Sequence, residues 1–140
     1  MTERPDSNKQ TLQWVDKAEH DLLAAEYMIQ SAEGMLTDIA CFHCQQCAEK
    51  YLKAMLVFLG VAFPKTHDIR LLLDLIPSRF SLNLSRERVV PLNRYVIEGR
   101  YPGDWEPIPL EEAKLALAAA KEVKAAVRPF LPEEIRNLYP

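Results

Sequence analysis

Glycine is scarce in this chain, with four in 140 residues, while alanine, leucine, glutamate and lysine are abundant. That balance weights the sequence toward helix. No segment alternates apolar and polar residues as a half-buried strand does, and no internal repeat is evident. No apolar run reaches the roughly 18 residues of a membrane-spanning helix. The polar opening MTERPDSNKQ has no apolar stretch behind it, which predicts the absence of a signal peptide. Cysteine is confined to three residues at 41, 44 and 47, too close together for a disulfide framework, so a reducing cytoplasm is the expected home. A formal net charge of -3 excludes a global polycation for nucleic acid.

What is present fits one globular domain with a sizeable core: 49% hydrophobic and 26% charged residues in a chain of this length. The charge is unevenly placed. Residues 1–64 carry 5 basic and 9 acidic groups, residues 65–100 carry 7 and 4, and residues 101–140 carry 5 and 7. The middle region is locally positive, mostly through arginine. Either it is a solvated surface or it is a site for phosphates.

Val15, Ala18, Leu22, Ala25 and Ile29 recur in steps of three and four, which predicts an amphipathic helix over 9–31 behind a frayed tail at 1–8. Gly34 marks the turn, and a second helix is expected over 37–59, ended by Gly60. Leu71, Leu72, Leu75 and Ile76 indicate a shorter third helix, capped by Thr66 or Asp68 and stopped at Pro77. Pro91 would break a helix running through 86–99. A helix over 91–99 is therefore expected, with a short turn or kinked piece before it for which Ser85 is an N-cap candidate. RYPGDWEPIP, at 100–109, holds three prolines and is a loop. The next helix is the best marked: Pro109 suits its first turn, Glu111 and Glu112 suit its positive end, and Pro129 helps to end it. Residues 132–140 read as a tail that Ile135, Leu138 and Tyr139 would dock. The fold class is all-α, an up-and-down antiparallel bundle of four to five helices over 9–131.

CFHCQQCAEK, at 41–50, holds every cysteine together with His43 and raises the question of a metal. On a helical wheel with His43 at 0°, Cys47, Cys44 and Cys41 fall at about 40°, 100° and 160°. They lie among Ala40, Ala48, Tyr51, Ala54, Met55 and Phe58. His43, Gln46, Glu49, Lys50 and Lys53 occupy the opposite arc, from about 240° to 360°. Ligands of one metal converge to within about 2.3 Å of a point, whereas Cys41 and Cys47 stand roughly 9 Å apart along a continuous helix. No glycine or proline supplies the winding loop that an iron–sulfur cluster needs. The cysteines are read as small buried hydrophobes, and no metal or other cofactor is assigned. Lys53, one turn after Glu49, reads as an ordinary surface pair with it. Leu56 and Val57 fall outside the apolar half of the helix, which predicts that its end is covered on several sides, by a dimer partner or by the tail.

FHCQQCAEKYLKAML, then KTHDIRLLLDLI, then LNRYVIEGRYP resemble, in order and spacing, the HEPN domain family (higher eukaryotes and prokaryotes nucleotide-binding), in the branch often encoded beside a minimal nucleotidyltransferase. The residues that carry the likeness are Gln45, Gln46, Ala48, Glu49, Lys50, Lys53, Ala54, Thr66, His67, Asp68, Arg100, Tyr101 and Pro102, and AEHDLLAAEYMI fits the family's first helix. The resemblance covers about 12–128. It implies a helical bundle, commonly a homodimer, with many relatives in toxin–antitoxin or defence systems. Active relatives are metal-independent RNases that use an arginine and a histidine four to six residues apart. This chain departs from that pattern: no arginine precedes His20, His43 or His67 at such a spacing.

The function expected is thus a nucleotide- or RNA-phosphate-binding homodimer acting with a minimal nucleotidyltransferase partner in a toxin–antitoxin-like system, rather than an enzyme. One alternative is an RNase toxin in which His67 acts with Arg94 or Arg100, since in-line cleavage needs an acid/base and a cation. Another is an interaction module without a ligand. The candidate phosphate-binding residues are Lys53, His67, Arg94, Arg100 and Tyr101. For His67 the alternatives are helix capping or a phosphate or base contact, with Asp68 placed to fix its tautomer. For Arg94 and Arg100 they are phosphate or an ion pair with Glu98 or Glu49. Tyr101 and Trp105 would stack a base or pack onto the bundle. The paired glutamines read as a polar interface or interhelical hydrogen-bonding feature.

Overall fold

The computed structural model describes residues 5–31, 36–96 and 107–140. Among them the chain is helical, with no strand. Two long helices come first, α1 (Pro5–Ser31) and α2 (Thr37–Leu59). A crossover of short pieces follows: α3 (Ile69–Leu75), then α4 (Arg86–Val89), which runs into a 3-10 turn at Val90–Tyr95. The chain returns as α5 (Leu110–Val127), a 3-10 turn at Arg128–Phe130 and α6 (Glu133–Leu138).

Side-chain ties give the helix directions. Ser7 reaches the Val57 carbonyl, Asp21 reaches both Lys50 and His43, and Glu19 accepts from Tyr51, so α1 and α2 are antiparallel. Glu26 meets Lys121 and Glu19 meets Lys124, so α1 and α5 are antiparallel as well. The crossover therefore lets α2 and α5 run the same way, with Thr37 donating to the Ile108 carbonyl where both begin.

α2 is the central element. Cys41, Cys44 and Cys47 are 0% exposed and pack in one cluster with Val15, Ala18 and Leu22 of α1 and Ala116, Ala119, Ala120 and Val123 of α5. Burial pushes the Cys41 thiol up to about 11 and the Cys44 thiol up to about 12, and holds Cys47 well above its ordinary value. The thiols stay protonated and fill space, as the wheel predicts. Leu56 is also fully buried within one chain, so its position needs no dimer to explain it.

Local chemistry sets the helix ends. Gly60 adopts φ 73° and closes α2, with its own N–H on the Val57 carbonyl and the Val61 N–H on the Leu56 carbonyl. A side chain there would meet nothing within 4 Å, so the backbone conformation is what favours glycine. Asp68 caps α3 by accepting from the Arg70 N–H at 3.0 Å, and Thr66 in turn accepts from the Asp68 N–H.

Three expectations are corrected. α1 begins at Pro5 rather than at 9. The short piece expected before Pro91 is α4, with Ser85 at its N-cap, but the helix expected over 91–99 is instead the 3-10 turn at Val90–Tyr95, which stops at Val96, where the backbone is extended. Pro91 has no N–H to offer an α-helical ladder, so the chain tightens to 3-10. Residues 97–99 lie outside the described residues. The tail at 132–140 contains α6, docked by buried Ile135, by Tyr139 on Asp16 and by Arg128 on the Arg136 and Tyr139 carbonyls. Leu138 takes no part in that docking and is 60% exposed. α4 and α6 are short pieces beside the four longer helices, so the all-α bundle expected from the sequence is present among the described residues.

Candidate functional site

Gln45, Glu49 and Lys53 follow one another at i, i+4 and i+8 along α2, and so form a single ridge. That ridge turns toward the crossover and α1, and all three residues are buried, Glu49 at 2% and Lys53 at 6% exposure. The surface pair expected for Glu49 and Lys53 is thus a buried one. The Glu49 carboxylate is fully engaged. Its Oε1 accepts from Gln45 Nε2 at 3.0 Å and lies 2.9 Å from His67 Nδ1; its Oε2 accepts from Lys53 Nζ at 3.0 Å. Full engagement is what lets a buried ion pair offset its desolvation cost. The Lys53 ammonium also sits 5.3 Å from the Trp14 ring centroid and 5.9 Å from that of Phe63, two rings that meet edge to face. Gln45 Nε2 reaches the His67 carbonyl as well, and Gln46 Nε2 donates to Gln45 Oε1 at 2.7 Å. The paired glutamines therefore tie α2 to the crossover.

His67 differs from its partners in being accessible, with 42% of its side chain exposed. In a neutral ring the bond to a carboxylate puts the proton on Nδ1 and makes Nε2 the acceptor. Glu49 rather than Asp68 orients the ring, because the Asp68 carboxylate caps α3 and accepts from Asn93 Nδ2 at 2.8 Å. Asn93 Oδ1 in turn accepts from the Ile69 N–H at 2.9 Å. This double link joins the segment that carries His67 to the segment that carries Arg94, which are 27 positions apart in sequence.

Arg94 is exposed and lines a groove of about 270 Å³ between the 3-10 turn and α5, with Tyr95, Glu112 and Leu115. Burial and the bond to Glu112, 2.5 Å away, raise the Tyr95 hydroxyl well above its ordinary value. Of the five candidate residues, the fold brings Lys53 and His67 together on Glu49 and sets Arg94 on a segment stitched to that of His67. Arg100, Tyr101, Glu98 and Trp105 lie outside the described residues. Sequence reasoning missed Gln45, Glu49 and Asn93 as parts of one network. The four-residue spacing of Gln45, Glu49 and Lys53 was the available signal for the first two; Asn93 left none.

An all-α bundle whose central helix buries a glutamine–carboxylate–lysine ridge under a histidine defines the class of protein. The family model described as HEPN domain matches residues 11–130, and the chain belongs to the HEPN domain family. It is similar to the crystal structure of TT1696 from Thermus thermophilus, at 29% identity over 87% of this chain and 98% of that one, with a TM-score of 0.68. It also shares its fold with the crystal structure of an archaeal HEPN homologue, at 24% identity over 85% and 95% of the two chains, with a TM-score of 0.64. No curated protein matches. Among the described residues no helix is long and apolar enough to cross a membrane.

Proposed function

We propose that this HEPN module binds the phosphate of a nucleotide or of RNA at His67, as a homodimer that works with a minimal nucleotidyltransferase in a toxin–antitoxin-like system. The observation that carries the reading is an exposed imidazole whose Nδ1 is held by a buried, fully engaged carboxylate. A ring fixed in this way presents its other edge in one orientation, so little side-chain entropy is lost on binding. Arg94 supplies a planar cation on the adjoining segment. Lys53 acts from behind, as the counter-cation bonded to Glu49 Oε2, while Arg100 and Tyr101 complete the set of candidate ligand contacts. The uneven charge supports the same side of the chain, since residues 65–100 carry the excess of arginine and lysine.

Fluorescence anisotropy with single-stranded RNA, and melting with ATP up to millimolar concentration, test the binding. Expected are binding by the wild type and a loss of about tenfold in His67→Ala and in Arg94→Ala, the worth of one hydrogen bond to a charged group. Unchanged melting together with no RNA binding sinks the reading. RNA cleavage that His67→Ala abolishes replaces it with the RNase alternative. Light scattering reads the dimer, and co-purification with a co-expressed minimal nucleotidyltransferase reads the partner.

A further inference from the structure

Asp21 repeats on the α1 side of α2 what Glu49 does on the crossover side. It is buried, its Oδ1 lies 2.8 Å from His43 Nδ1, and its Oδ2 accepts from Lys50 Nζ at 2.7 Å. Each carboxylate therefore gives one oxygen to an imidazole Nδ1 and the other to an ammonium. Lysine alone would suffice to tie α1 to α2. The histidine adds a ring whose Nδ1 edge is held against the interior, so that its Nε2 edge is turned away from it. His43 is 25% exposed on its side chain and is braced by the edge of Phe42, at 5.4 Å between centroids.

Both rings border the same arc of α2, which is buried at Glu49 and Lys53 but open at Ile39 and half-open at Phe42 and Gln46. His43 stands at 0° on the wheel, Glu49 with its His67 at about 240°, and half-buried Gln46 between them at about 300°. The two lysines offset the charge of Asp21 and Glu49, so neither repels an anion laid over Gln46; exposed Asp68, next to His67 in sequence, is the acidic group that remains beside that end of the arc. Lys65 and Arg70, on either side of His67 in sequence, are exposed and add positive charge there.

The separation of the rings decides what such an anion is. Glu49 and Gln45 bracket His67 about four residues along the axis from His43, and the rings lie about 120° apart around the helix. Because the His67 ring lies beyond the Glu49 carboxylate, that places them more than about 10 Å from each other. Two groups that bond to one phosphate, each at about 2.9 Å, stand within roughly 8 Å of each other.

We propose that His43, oriented by Asp21, is a second phosphate-contacting residue, and that this arc of α2 takes two phosphates of one single-stranded RNA backbone rather than one mononucleotide phosphate. This rests on the reading that His67 meets phosphate.

The test uses the full chain, a labelled single-stranded oligoribonucleotide, ATP as the mononucleotide, and the variants His43→Gln and His67→Gln. Expected is a weakening of oligonucleotide binding by about tenfold in either variant, with ATP binding sensitive to His67→Gln alone. In the wild type, the His43 ring resonances shift when the oligonucleotide is added and stay in place with ATP. That measurement decides the matter if His43→Gln fails to fold. Oligonucleotide binding that responds to His67→Gln but not to His43→Gln, or His43 resonances that do not move, overturns the inference and leaves the proposed function standing. ATP binding that depends equally on both histidines overturns the two-phosphate assignment. Failure of the wild type to bind either probe removes the proposed function first and the inference with it.

Discussion

The two sides of α2 are equally buried and chemically opposite. Toward α1 and α5 it presents Cys41, Cys44 and Cys47; toward the crossover it presents Gln45, Glu49 and Lys53. The cysteine side needs no directional partner, because its contribution scales with apolar area removed from water. The polar side is stable only as a complete set, since each buried donor or acceptor left without a partner costs its full desolvation. Tolerance should therefore differ: the first side accepts small apolar replacements, whereas the second fails when any one member is removed.

The sharpest way to break the contrast is Glu49→Ala. It leaves the Lys53 ammonium buried without its carboxylate, and a loss of about 3–5 kcal/mol is expected in urea unfolding. Cys44→Ala, on the other side, should cost far less because it removes only a small apolar group. Equal losses in the two variants would refute the distinction.

A second test uses pH. The raised Cys41 and Cys44 thiols remain protonated in the folded state, up to about 11 and about 12, while the unfolded thiols ionise near 9.0. The unfolded state then binds fewer protons, so the stability these thiols contribute is full below pH 9 and is lost as pH rises toward the folded values. The slope approaches about 1.4 kcal/mol per pH unit for each thiol that is fully linked. Replacing both by alanine should flatten unfolding curves measured between pH 9 and 11. An unchanged slope would show that the thiols are not the linked groups.

The smallest expected effect sharpens the polar side. Asn93→Ala removes both links between the 3-10 turn and the start of α3, and should cost about 1–2 kcal/mol. Amide exchange should quicken at Ile69, whose N–H loses its acceptor, while the cysteine side of α2 stays protected. Uniform quickening across both sides would mean that the crossover and the bundle open as one unit.

Particular residues show why some of this was readable and some was not. The limits of α2 were legible because Gly60 is a local signal, and its cysteine face was legible because helical periodicity assigns neighbours without knowledge of the fold. The 3-10 turn that contains Pro91 was not, because proline is compatible with the first turn of an α-helix as well as with a tighter turn. The burial of Glu49 and Lys53 was hidden for a different reason: charged residues on the arc opposite an apolar face are ordinarily solvated, and only Trp14, Phe63 and His67, brought from elsewhere, cover these two.

The sequence by itself determined that the chain is all-α, that its cysteines lie inside, and that its motifs follow the HEPN order. Each of these rests on period, composition and short-range spacing, which act within a few turns of one helix. Only the tertiary structure decided which carboxylate holds which histidine. Those partners are 18 and 22 positions apart, and nothing local fixes the path of the chain between them.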